Sequence, residues 1–125
     1  MGIYDTKEKI YIVEVCLDNL QDKKIIFDDS SQIYVSTASL WEFSIKYSIG
    51  KLKFAGGLSR FCELIKQADF IVLPIVQDYL AAVIDLPFIH RDPFDRLLVA
   101  AAKVDCMTIL TADENIHKYD VSSVW

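Results

Sequence analysis

Two histidines, three cysteines, three prolines and four glycines are all that the 125 residues contain of these types. Each scarcity removes a class of function. There is no G-x-G-x-x-G turn and no P-loop, so the glycine-built phosphate cradles of the common nucleotide-binding folds are missing. His90 and His117 have no partner at metal-ligand spacing, and Cys16, Cys62 and Cys106 form no C-x-x-C pair, which argues against zinc. No G-x-S-x-G nucleophile elbow occurs. No apolar run approaches the roughly 18–20 residues that cross a bilayer. The opening "MGIYDTKEKIY" carries acids and lysines where a secretory signal is apolar, so a cytoplasmic protein is expected. Positive charge is also short, with 13 Lys and Arg against 18 Asp and Glu and a net charge of −5. That argues against a broad phosphate-binding surface, which is normally basic. It does not exclude a nuclease, because a carboxylate site is negative until divalent cations fill it and draw in phosphate.

Apolar residues are abundant, at 53%. A chain of this length buries a substantial core as one domain, expected here over residues 1–125, since no Pro/Gly-rich linker, repeat or low-complexity segment divides it. The apolar surplus points to self-association or a protein partner. The three cysteines sit in apolar stretches and read as reduced core thiols.

Along the chain, "KIYIVEVCL" is either a strand or the start of a buried helix; its periodicity does not decide. "NLQDKKIIFDD" reads as a short helix and "QIYVS" as a strand. "TASLWEFSIKYSIG" reads as a helix stopped by Gly50. "GGLSRFCELIKQAD" places Leu58, Phe61, Leu64, Ile65 and Ala68 at helical spacing. "FIVLP" is a short strand and "VQDYLAAVIDLP" a helix. "RDPFDRLLVAAAKVD" is a helix capped by Asp92, with Pro93 at its first position and Phe94, Leu97, Leu98 and Ala101 as its core stripe. "CMTILTAD" is a buried strand and "YDVSSVW" a final edge strand. Strands separated by helices imply a parallel sheet covered on both faces, with its functional crevice beyond the carboxyl ends of the strands.

That crevice gives the acids a place to meet. Glu42 follows the "QIYVS" strand, Asp113 follows "MTILTA", and Asp95 opens the helix leading to that strand. Each has a plain structural alternative. Glu42 completes a capping box with Ser39, unless Ser36 or Thr37 is the cap and Glu42 lies a turn further in. Asp95 suits the positive end of its helix, Asp92 is the better pure cap, and Asp113 is a turn residue beside the Thr111 hydroxyl. Together they are harder to dismiss, because clustered carboxylates repel one another and a divalent cation removes that penalty. Oxygen ligands favour Mg²⁺ or Mn²⁺. Arg91 and Arg96 are candidates for phosphate contacts. Lys46, Lys51 and Lys53 form a small basic strip, and His90, just ahead of Arg91, is open to a substrate role.

The segments "VSTASLWEFSIKYSIGKL", "LPFIHRDPFDRLLVAAA" and "TILTADENIHKYDV" resemble, in order and spacing, the PIN-domain ribonucleases of the VapC type, the toxins of toxin–antitoxin pairs. The resemblance runs from about Ile33 to Trp125. It implies an α/β fold with three layers, α/β/α, around a mostly parallel central sheet. It also implies Mg²⁺- or Mn²⁺-dependent hydrolysis of RNA by activated water, homodimers, and inhibition by an antitoxin whose tail enters the site. On the family pattern Glu42, Asp95 and Asp113 are the catalytic acids and metal ligands, with Asp92, Thr111 and Arg96 as auxiliaries.

The N-terminal stretch, about 30 residues, departs from the family, which begins with an apolar strand ending in an acid. Asp5 in "GIYDT" is the first choice for that metal-binding acid, Glu14 in "IYIVEV" is the second, and a third possibility is that the first acid is absent. An incomplete site would make the chain a non-catalytic PIN domain binding antitoxin or RNA. A receiver-like phospho-acceptor, suggested by "IIFDDSS", is disfavoured because only "SSQ" separates that pair from the next strand.

Overall fold

The computed structural model describes residues 9–13, 31–111 and 113–124. Five strands, β1 (Lys9–Val13), β2 (Ser31–Ser36), β3 (Ile71–Leu73), β4 (Thr108–Leu110) and β5 (Ser123–Val124), form one sheet in the order β3-β2-β1-β4-β5. Every pairing is parallel. "KIYIVEVCL" therefore supplies a strand, and that strand is the centre of the sheet. The short helix expected in "NLQDKKIIFDD" lies outside the described residues.

Side-chain alternation along the strands builds the layers. Ile12 and Ile109 point into one apolar cluster with Tyr79, Leu98, Val99, Met107, Ile116 and Tyr119. Their neighbours Tyr11, Val13, Ile33, Val35 and Leu110 point into the other, with Phe43, Phe61 and Ile65. Helices α1 (Thr37–Ser48) and α2 (Gly57–Gln67) cover the second face. Helices α3 (Gln77–Ile84), α4 (Pro93–Asp105) and the single turn α5 (Glu114–His117) cover the first. The result is the three-layer α/β/α arrangement. No helix among the described residues is long and apolar enough to cross a membrane.

Local chemistry explains the helix ends. Ser36 closes β2 and caps α1, its Oγ accepting from the Ala38 amide at 3.0 Å. Gly50, at φ 77°, lets the chain turn back so that the Lys51 and Leu52 amides reach the Lys46 carbonyl. Asp92 caps α4 through the amides of Phe94 and Asp95, with Pro93 at the first position.

Three expectations are corrected. In α2 only Phe61 and Ile65 are buried, and Leu58 and Leu64 face outward, because the helix packs into the Phe43 cluster through that one i, i+4 pair. In α4 burial is far wider than the expected stripe and takes in Asp95, Arg96, Val99, Ala100 and Ala102, since α3, α1 and the sheet all pack near it. Cys62 and Cys106 are exposed free thiols rather than core thiols, and Cys16 lies outside the described residues.

Candidate metal centre

The sheet order β2-β1-β4 places the exits of β2 and β4 on either side of the exit of β1. Both exits use a hydroxyl residue. After β2, Ser36 launches α1, which carries Glu42. After β4, the fully buried Thr111 accepts the Asp113 amide on its Oγ1 at 2.9 Å and so sets the turn into α5. Asp113 then caps α5, its Oδ1 accepting from the Asn115 amide at 2.8 Å. From the side, α4 brings Asp95 in its first turn.

Asp95 and Asp113 meet. With His90 they form a group whose ligand atoms all lie within 4.8 Å of one another. Asp95 is buried, while His90 and Asp113 are half-buried. One buried and one half-buried carboxylate, brought together beside an imidazole, suit a divalent cation, which would remove the mutual repulsion of the acids.

Glu42 stands apart from that group. Ser36 is the cap, so Glu42 sits in the second turn and makes no capping box. Its Oε2 accepts from Lys46 Nζ at 2.9 Å. The pKa of Lys46 is raised, chiefly by this hydrogen bond, against the opposing effect of burial, and further by the charges of Glu42, Asp92 and Asp95. Helix α1 packs against α4 here, which brings the pair toward the start of α4. Trp41, more than half exposed, stands edge-on to Phe94 with ring centroids 5.3 Å apart and ties the two helices together there.

The auxiliaries divide. Asp92 is engaged as a cap and Thr111 as a turn-former. Arg96 is turned inward rather than out to phosphate. It is 7% exposed, donates to the carbonyls of Pro87 and Val83 and to the Tyr119 hydroxyl, and lies over the Phe88 ring at 4.5 Å. Arg91 and the lysines at 46, 51 and 53 are exposed. Asp5 and Glu14 lie outside the described residues; in the chain, Asp5 precedes β1 and Glu14 follows its last residue, Val13.

His90 is the residue that spacing undervalued. Its Nε2 faces Asp95 Oδ2 at 3.4 Å and its Nδ1 meets the Tyr119 hydroxyl at 2.9 Å. Partners five and 29 positions away follow no motif period, so no sequence signal marks them.

Residues 8–122 match the family profile described as the PIN domain. Among solved structures, the chain is similar to one in the crystal structure of VapBC2 from Rickettsia felis bound to a DNA fragment from their promoter. The identity is 13% and the TM-score 0.68, covering 92% of this chain and 97% of that one. At that identity the likeness carries the fold. No curated protein matches this chain at the level of sequence.

Proposed function

Since the chain belongs to the PIN-domain family, we propose that it is a divalent-metal-dependent ribonuclease and the toxin of a VapC-type toxin–antitoxin pair, acting in the cytoplasm. The observation that carries this reading is the convergence of Asp95 and Asp113, from separate elements, at the carboxyl end of β4. Asp95 and Asp113 would hold the cation, and Glu42, paired with Lys46, would add negative charge from α1. For the first acid, chain order favours Glu14 over Asp5, because Glu14 comes directly after the central strand.

When bound, Mg²⁺ or Mn²⁺ supplies a water acidic enough to attack at neutral pH and a counter-charge for the phosphodiester. The chain's own residues fix the geometry. Asp92 and Thr111 hold the backbone from which Asp95 and Asp113 project. Lys46 keeps Glu42 extended along α1 and offers a cation at the rim for the phosphate chain. No side-chain nucleophile is needed.

Partners follow from two surfaces. The acidic site suits the basic tail of an antitoxin. Ile71, Val72, Ile75, Val76, Leu80 and Ile84, along the edge strand β3 and on through α3, are all exposed. An apolar tract of that extent suits a homodimer.

The deciding experiment is Asp95→Asn. It removes a charge but leaves the Asp92 cap in place. We expect loss of Mn²⁺-dependent RNA cleavage with an unchanged melting temperature. Full cleavage by the variant would overturn the reading.

A further inference from the structure

Four polar side chains, Asp95 and three behind it, form a continuous line. Arg96 Nη1 lies 3.3 Å from the Tyr119 hydroxyl, that hydroxyl 2.9 Å from His90 Nδ1, and His90 Nε2 3.4 Å from Asp95 Oδ2. The line draws on three places in the chain: the turn before α4, the first turns of α4, and the segment after α5. Because Asp95 and Arg96 are covalent neighbours, it closes on itself through the backbone. Tyr119 is 3% exposed, Arg96 7% and Asp95 8%, and only His90 is half-buried, so most of the line is shielded from water.

Donor and acceptor capacity allows the line one consistent direction. A guanidinium only donates, so the Tyr119 oxygen accepts from Arg96. The remaining guanidinium bonds go to the Pro87 and Val83 carbonyls, which anchors the charge. A Tyr119 proton turned toward His90 Nδ1 then leaves a neutral imidazole with its own proton on Nε2, facing a carboxylate that only accepts. In that arrangement every group is used in one sense: Arg96 to Tyr119 to His90 to Asp95. A ring nitrogen that carries a proton toward Asp95 does not ligate a metal, although His90 lies close enough to Asp113 and Asp95 to be mistaken for a ligand.

We propose that His90 is a positioning residue, held in its Nε2–H form by Tyr119 and thereby orienting the Asp95 carboxylate toward a divalent cation without ligating the ion. This rests on the metal-dependent reading of the site. The physical need is plain. A carboxylate in the first turn of a helix has two oxygens and a broad terminal torsion that its hydrogen-bond partners fix. A hydrogen bond to one oxygen fixes the plane and so sets where the other points. Groups that orient a metal-binding side chain in this way are typically worth about 10–100-fold in affinity or activity.

The first test needs no metal. In ¹⁵N-histidine-labelled full chain, with His117→Asn used to assign signals, His90 should show protonated Nε2 and unprotonated Nδ1. Tyr119→Phe should move the Nδ1 shift. A protonated Nδ1 in the wild-type protein would overturn the proposal.

The second test titrates Mn²⁺ and follows it by electron paramagnetic resonance. Asp95→Asn serves as the reference that validates the site itself. If that change leaves Mn²⁺ affinity untouched, the metal reading fails, and the ¹⁵N result alone judges the relay. If it abolishes binding, His90→Ala should weaken Mn²⁺ by about 10–100-fold. His90→Gln, whose amide still donates, should restore most of the affinity. Tyr119→Phe, which leaves His90 in place, should give a smaller loss. Melting temperatures check that each variant is folded. Wild-type affinity in His90→Ala, or imidazole nitrogen coupled directly to bound Mn²⁺, would refute a positioning role.

Discussion

Lys46 Nζ lies 2.9 Å from Glu42 Oε2, one helical turn along α1, with the acidic residue on the N-terminal side. That is the favourable order for an i,i+4 pair, worth about 0.3–0.5 kcal/mol on an exposed helix. The ammonium is also near enough to Asp92 and Asp95 for their charges to help raise its pKa, although the hydrogen bond to Glu42 contributes most. It is therefore a resident cation at the rim of a proposed cation site.

Replacing Lys46 with Gln should tighten Mn²⁺ binding. One exposed unit charge several ångströms away is worth about 0.5–1 kcal/mol, or roughly twofold to fivefold in affinity. The gain should shrink as salt is raised. Calorimetric titration at low and high ionic strength checks both points, and weaker binding in the variant would show that Lys46 supports the site.

Asp113 serves α5 and the metal group with the same side chain. The two roles separate by substitution. Asn caps a helix as well as Asp does, whereas Ala costs about 1 kcal/mol at a cap. Asp113→Asn should lose Mn²⁺ affinity with little change in the urea midpoint. Asp113→Ala should lose both. Equal destabilisation by the two variants would contradict this separation.

Much of this was readable in advance, and the pattern of success has a physical basis. The start of α4 was legible because a cap and a first-position proline act locally, through bonds to the next three residues. Gly50 was legible for the same reason. The direction of Arg96 was not. A sequence shows that an arginine is charged, but not that three acceptors from α3, the following loop and the segment after α5 have turned it inward. Glu42 was ambiguous among three candidate caps, Ser36, Thr37 and Ser39, and only the Ser36 bond to the Ala38 amide decided it. The one-turn α5 went unread because four residues carry no periodicity.

Tyr79 provides a pH test of the α3–α4 contact. Its hydroxyl donates to Asp105 Oδ2 across the two helices. Burial, followed by that hydrogen bond and the charges of Asp105, Tyr34 and Asp78, pushes its pKa up to about 12. Below pH 10, where free tyrosine is protonated, both folded and unfolded chains carry the proton and the contribution is complete. Between pH 10 and about 12 the unfolded chain releases its proton first, so stability falls as pH rises. The advantage of wild type over Tyr79→Phe should therefore be constant up to about pH 9 and shrink by pH 11. Urea midpoints at the two values measure it, and a widening gap would refute the assignment.

The exposed tract on α3 makes a prediction about assembly. Leu80 and Ile84 are 52% and 82% exposed and lie one turn apart. Changing both to Lys should leave the fold within about 0.5 kcal/mol of wild type, as exposed substitutions generally do. Light scattering should then report a monomer where the wild-type protein is a dimer. Identical masses for the two proteins would remove α3 from the interface.

Between α3 and α4 the chain has no slack. Arg96 holds the carbonyls of Val83 and Pro87 from a fixed point on a buried helix, and His90 must still arrive opposite Asp95 within the same short span. Surface connections ordinarily accept extra residues with little penalty. Here a single inserted residue would either break the grip of the guanidinium or carry the imidazole past its carboxylate. The number of residues in this connection is thus as much a part of the site as the acids themselves.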